Sequence, residues 1–69
     1  VRREAVSSSN IESIGYDEES MTLEVEFRSG MIYQYFDVPF GIHEQLMGAS
    51  SHGEFLASQV KGTYRYARI

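Results

Sequence analysis

The sequence predicts an α+β fold: a three-stranded antiparallel meander, then two short helices, then an extended C-terminal tail. Three observations carry this expectation. Thr22 to Arg28 alternates cleanly, with Leu23, Val25 and Phe27 on one side and Thr22, Glu24, Glu26 and Arg28 on the other. Period two marks a half-buried strand. Ser29-Gly30 follows as a turn signal, and a run rich in β-branched and aromatic residues comes next. Pro39, and then Ser51 with Glu54 three residues on, mark two helix starts.

Residues 1–9 end in Ser7-Ser8-Ser9 and show no apolar period, so a flexible N-terminal arm is expected there, with a single domain over 10–69. The first strand of the meander is Ile11 to Tyr16. Ile11 and Ile14 are three apart, which breaks strict alternation, and Gly15 is the candidate for a bulge or bend. Asp17-Glu18-Glu19-Ser20 is a polar turn. The second strand is Thr22 to Arg28, and the third is Met31 to Val38.

The loop at Ser29-Gly30 sets the register of the last two strands. A two-residue loop puts Tyr33 opposite Glu26 and Tyr35 opposite Glu24, on the solvent side. A three-residue loop, Arg28-Ser29-Gly30, puts Tyr33 opposite Val25 and Tyr35 opposite Leu23, on the core side. Each shift of one residue reverses every side chain. Turn chemistry favours the longer loop, because it needs only one left-handed residue, at its last position, and Gly30 stands there. Ile32 and Phe36 then fall on the opposite face.

Pro39 suits the first turn of a helix over Phe40 to Met47, where Ile42 and Leu46 lie at i and i+4. Gly48 lies near its end. The second helix runs from about His52 to Lys61, with Ser51 as N-cap and Glu54 completing a capping box. Leu56 and Val60 form its apolar stripe, Lys61 suits its last turn, and Gly62 its C′ position. Thr63 to Ile69 alternates like a strand or extended segment. The expected core is Leu23, Val25, Phe27, Ile42, Leu46, Phe55, Leu56 and Val60, with Tyr33 and Tyr35 at its border.

A chain of 69 residues forms one domain and buries only about 60% of its unfolded surface, so its stability is marginal. It has no cysteine, hence no disulfide staple and no thiolate metal site. No apolar run approaches the ~20 residues of a membrane helix, and the N-terminus lacks the apolar region of a signal peptide. A soluble, cytoplasmic chain is expected. The net charge is −4, and all ten acidic residues lie between positions 4 and 54 with a single cation, Arg28. The other five cations sit at the two ends. The acidic body repels phosphate, and only the ends attract it.

Lys61, Tyr64, Arg65, Tyr66 and Arg68 interleave cations with aromatics, a mix that suits phosphate contact and base stacking. The competing role is a docked terminal strand with its arginines in solvent. Tyr33 and Tyr35 also suit base stacking, but the favoured register turns them inward, which makes them the weaker candidates. Ser50, Ser51 and His52 invite a nucleophile–base reading, yet capping already explains Ser51, and neighbours at a helix start rarely meet with the needed geometry. His43 and His52, with Glu44 or Glu54, lack a metal-ligand spacing. No catalytic residue, metal or cofactor is expected.

The ordered set Ser9-Asn10-Ile11, Ile14-Gly15-Tyr16-Asp17 and Leu23-Glu24-Val25-Glu26-Phe27 resembles the KTSC domain family. So do Gly30, Tyr33-Gln34-Tyr35, Asp37-Val38-Pro39, Leu46, Ala49-Ser50, Gly53, Phe55 and the Tyr64-Arg65-Tyr66 ending. The resemblance spans about residues 7 to 68. The family is named for the C-terminus of some lysyl-tRNA synthetases and also occurs as a free-standing small bacterial protein; tyrosine-x-tyrosine is its mark. It implies a small non-catalytic binding module, with RNA or tRNA as the partner its synthetase context points to. The alternative is a protein-interaction module using its sheet or the apolar patch of Ile32 and Phe36, without nucleic acid.

Overall fold

The computed structural model describes residues 2–69. The fold is α+β, and its antiparallel sheet has five strands in sequential order rather than three. They are β1 (Arg3–Ala5), β2 (Ile11–Asp17), β3 (Thr22–Phe27), β4 (Ile32–Tyr35) and β5 (Tyr66–Arg68). The meander β2-β3-β4 is as expected, and the two additions are three-residue edge strands. Part of the N-terminal arm is therefore a strand: Glu4 pairs with Ile14 in β2. The tail is the other edge, with Tyr35 opposite Tyr66.

The register of the β3–β4 hairpin is that of the three-residue loop. Leu23 opposes Tyr35 and Val25 opposes Tyr33. The Phe27 N–H donates to the Met31 carbonyl at 2.9 Å, and Gly30 sits at φ +96. Four cross-strand rows follow. Tyr16, Leu23, Tyr35 and Tyr66 form one; Glu4, Ile14, Val25, Tyr33 and Arg68 form the next. Both lie on the face that carries the helices. Glu24 and Gln34 share a row on the other face, as do Glu26 and Ile32.

The break in alternation along β2 lies between Ile11 and Ser13, not at Gly15. Ile11 and Ile14 are both buried. Two residues three apart reach one face only if an extra residue is accommodated between them, and Glu12 bulges out to do so. Gly15 pairs regularly with Glu24.

β4 is shorter than the expected strand because Asp37 takes φ +58 and turns the chain. Asp tolerates this conformation better than most residues. Val38 then drops into the core, its N–H donating to the Met21 carbonyl at 2.9 Å. Helix α1 (Phe40–Met47) follows with Pro39 at its N-cap, one position earlier than expected. Helix α2 (His52–Phe55) starts at Ser51, whose hydroxyl accepts from the Glu54 N–H as the capping pattern requires. It continues as a π-helical turn, Leu56–Val60, closed by the Lys61 N–H donating to the Leu56 carbonyl at 2.9 Å. Gly62, at φ +83, then releases the chain toward β5.

The core comprises Ile11, Ile14, Leu23, Val25, Tyr35, Val38, Leu46, Leu56 and Val60. Five of the eight residues expected there are fully enclosed; Phe27, Ile42 and Phe55 are half-buried around them. Tyr35, expected at the border, is 2% exposed and belongs to the core. Tyr16 anchors α1 to the sheet. Its hydroxyl donates to the Val38 carbonyl, and its ring stacks on His43 at 4.9 Å.

His43 Nδ1 is buried and has no hydrogen-bond partner among the described residues. Burial pushes its pKa below the ordinary value, against the opposing pull of Glu4, Glu44 and Glu18. A depressed folded pKa means that the unfolded chain binds the proton more readily. The associated stability is complete above the ordinary histidine value of about 6.5 and is lost as pH falls toward the folded value. Thermal unfolding of wild type and His43→Phe between pH 7.5 and 5 checks this. The wild type is expected to lose stability relative to the variant as pH falls; a constant difference would show that His43 does not titrate against folding.

Candidate functional site

The helices cover the β2 and β3 part of their face and leave the β4–β5 part open. Exposure rises along one row, from Tyr35 at 2% to Tyr66 at 61%. Tyr33, in the next row, is half-buried, its ring 6.4 Å from Tyr35 and 5.6 Å from Tyr66, stacked on both. Phe27 meets Tyr33 edge to face at 5.7 Å. These four rings floor an open groove of about 740 Å³.

The rims of the groove are polar. Lys61 comes from the end of the π-helical turn, and its Nζ lies 5.4 Å from the centre of the Phe27 ring, in cation–π range. Arg28 and Ser29 belong to the β3–β4 loop, while Ser9 and Asn10 lead into β2. Arg28 is held by Glu12 at 3.2 Å and by the Ser8 carbonyl at 2.8 Å. Arg68 shares the face of Tyr33 and reaches Met31, another lining residue, at 3.5 Å. Among the described residues, no carboxylate lines the groove. Glu24 and Glu26, the acidic residues nearest the tyrosines in the sheet, point through the other face.

Burial raises the Tyr35 hydroxyl pKa, and Tyr33 and Tyr66 add to the shift. The phenol stays protonated at neutral pH and acts as an apolar wall with a donor tip.

The seven sequence-selected residues divide. Tyr33, Tyr35, Tyr66 and Lys61 line the groove, and Arg68 stands at its edge. Tyr64 packs against the core instead. Arg65 leaves the group: it pairs with Asp37 at 2.9 Å and lies 5.7 Å from the Phe36 ring centre. The tail and the tyrosine pair, weighed separately in the sequence, form one surface because β5 pairs with β4. Phe27, Met31 and Asn10 were not among the candidates. The register that places Tyr33 beside Val25 also brings Phe27 and Met31 to that face, whereas nothing in the sequence marks Asn10.

Ser51 and His52 do not face each other as a pair. Ser51 caps α2, and His52 Nδ1–H donates to the Leu46 carbonyl at 2.8 Å, closing the end of α1. No group of three His, Cys, Asp or Glu converges among the described residues. None of their helices is long and apolar enough to cross a membrane. Ile32 and Phe36 lie opposite the groove face and are each half-buried.

An uncharacterized protein of Stutzerimonas stutzeri is 43% identical over 70 residues, covering 100% of this chain and 99% of that one. A lysine–tRNA ligase of Nostoc sp. is 38% identical over 59 residues, which are 86% of this chain but 10% of the ligase. The crystal structure of a KTSC domain protein from Yersinia pestis superposes with a TM-score of 0.96 at 43% identity, covering 99% of this chain and 96% of that one. The family model for the KTSC domain matches residues 7–64, from within the connection between β1 and β2 to the residue before Arg65. Sequence, superposition and family model agree over nearly the whole fold, and the chain belongs to the KTSC domain family.

Proposed function

We propose that this chain is a non-catalytic module that binds unpaired RNA in the Tyr33–Tyr66 groove. The observation that carries the reading is the combination of stacked tyrosines with cationic rims and no carboxylate in the lining. Single-stranded nucleic acid is held by aromatic platforms for the bases and positive charge along the backbone. The acidic body weakens non-specific attraction. It leaves the groove itself cationic, with Lys61 unpaired among the described residues and Arg68 beside it. The occurrence of a similar segment in a lysine–tRNA ligase supports RNA as the partner and the cytoplasm as the place of action. Arg65 and Tyr64, which lie off the groove, take no part in this reading.

Titration of a fluorescent single-stranded RNA octamer at ~50 mM salt tests it, because phosphate contacts are strongest at low salt. Tyr66→Ala is expected to weaken binding by about 1–3 kcal/mol, the usual worth of one base–aromatic stack. Its ring is exposed, so the fold tolerates the change. No measurable affinity at that salt overturns the proposal. Capture of a proline-rich peptide without RNA affinity would reassign the groove to a protein partner, since aromatic grooves take such peptides.

A further inference from the structure

We propose that the groove takes a short unpaired RNA element of about three nucleotides, such as a tight loop, a bulge or a chain end, and that a longer single strand binds no better; this rests on the RNA reading above. The stacking surface sets the first limit. Tyr35 is 2% exposed and too enclosed to take a base. The Phe27 ring already carries the Lys61 ammonium, whose Nζ stands over it at 5.4 Å. Tyr33 and Tyr66 remain. A base sandwiched between two rings needs about 7 Å between their planes, twice the optimal carbon–carbon contact. The Tyr33 and Tyr66 centres are only 5.6 Å apart, with their planes 30° from parallel. Bases therefore stack on the open side of this pair and not within it. A groove of about 740 Å³ also falls in the range that holds one small-molecule-sized ligand.

Charge sets the second limit. Of the six Lys and Arg residues, Arg3 pairs with Glu24 and Glu26, Arg28 with Glu12, and Arg65 with Asp37. Arg2 precedes β1, at the far edge of the sheet. Lys61 and Arg68 are left at the groove with no carboxylate partner among the described residues. These two cations serve about two phosphates, the number that link a trinucleotide. Outside the groove the balance reverses. Glu4, Asp17, Glu18, Glu19, Glu44 and Glu54 pair with no cation among the described residues, and none of them lines the groove. A strand that continues past the rims meets net negative charge, which repels its phosphates.

A series of uridine oligomers without terminal phosphates, from dimer to octamer, tests this by NMR chemical-shift titration. Affinity per binding register is expected to rise from dimer to trimer and then to stay level within about 2-fold up to the octamer. Two phosphate contacts on a single strand give a slope of log affinity against log salt of about −1.4, a loss of about 7-fold between ~50 and ~200 mM. Lys61→Gln and Arg68→Gln are each expected to make that slope shallower by about 0.7. Both side chains are exposed, so the fold tolerates the changes. Tyr66→Ala is expected to weaken trimer and octamer alike with the slope unchanged. Per-register affinity that keeps climbing beyond the trimer, or an octamer slope steeper than about −2, overturns the short element while leaving the RNA reading intact. An octamer that binds where the trimer does not overturns it in the same way. Slopes unchanged in both Gln variants overturn the assignment of the phosphates to Lys61 and Arg68. Absence of binding to every oligomer overturns both proposals.

Discussion

Leu23→Ala is expected to cost about 2–5 kcal/mol, the range for deleting a buried leucine from a packed core. Leu23 is fully enclosed at the centre of the sheet, with Tyr16 on one side and Tyr35 on the other. Two neighbouring strands and the helices hold its surroundings, so the space cannot collapse freely. Domains of this size have a total stability of roughly 3–10 kcal/mol, and no disulfide supplements it here. A substantial unfolded population at 37 °C follows. Urea unfolding measures the effect as a lower midpoint with an unchanged slope. Met31→Ala provides the contrast: Met31 is exposed, and its loss is expected to stay within about 0.5 kcal/mol. Similar midpoints for the two variants would show that the β3 row is not the centre of the core.

The position of Leu23 was legible in the sequence, and the reason is local. Its strand alternates over its whole length, and Gly30 restricts the loop that fixes the neighbouring register. Phe27, Tyr33 and Tyr35 follow onto the same face by counting. The edge strands were less legible for the opposite reason. Arg3–Ala5 carries no apolar alternation, and the alternation from Thr63 to Ile69 fits a strand or an extended segment alike, so only pairing with a distant partner makes these three-residue segments strands. The bulge was half legible: the spacing of Ile11 and Ile14 demanded it, but a glycine nearby drew it to the wrong residue.

The candidate site shows the same division. Lys61, Tyr66 and Arg68 stood out by type, and Tyr33 with Tyr35 by spacing. That they share one groove depends on β5 pairing with β4, a contact between segments separated by both helices. Arg65 looked equivalent to Arg68 in the sequence. Alternation along the tail separates them, and Asp37 takes Arg65 away.

Arg3→Ala is expected to cost about 1–3 kcal/mol at pH 7, through a residue that looked like part of a loose arm. Its guanidinium pairs with the Glu24 carboxylate and approaches Glu26 at 3.7 Å, while its Nε donates to Ser13 at 3.2 Å. Glu24 alternates with apolar residues and so reads as solvent-facing. It is instead 5% exposed, enclosed by Arg3 and by Gln34, which donates to it at 2.9 Å. Burial alone would raise the Glu24 pKa, but hydrogen bonds from Gln34 and Arg3 and the charge of Arg3 outweigh it and hold the pKa below the ordinary range. The stability this provides is complete above about pH 4.3 and is lost as pH falls through the folded value. Without Arg3 the carboxylate stays buried with Gln34 as its remaining side-chain partner, so its pKa rises and protonation relieves the folded variant. The gap between wild type and Arg3→Ala is therefore expected to narrow on going from pH 7 to about pH 3.5. Glu24→Gln removes the titrating group, and in that background Arg3→Ala is expected to cost less and to show no such narrowing. Urea unfolding of the four proteins across this range measures the coupling directly. A gap that stays constant with pH would place the contribution of Arg3 in strand pairing and not in its charge.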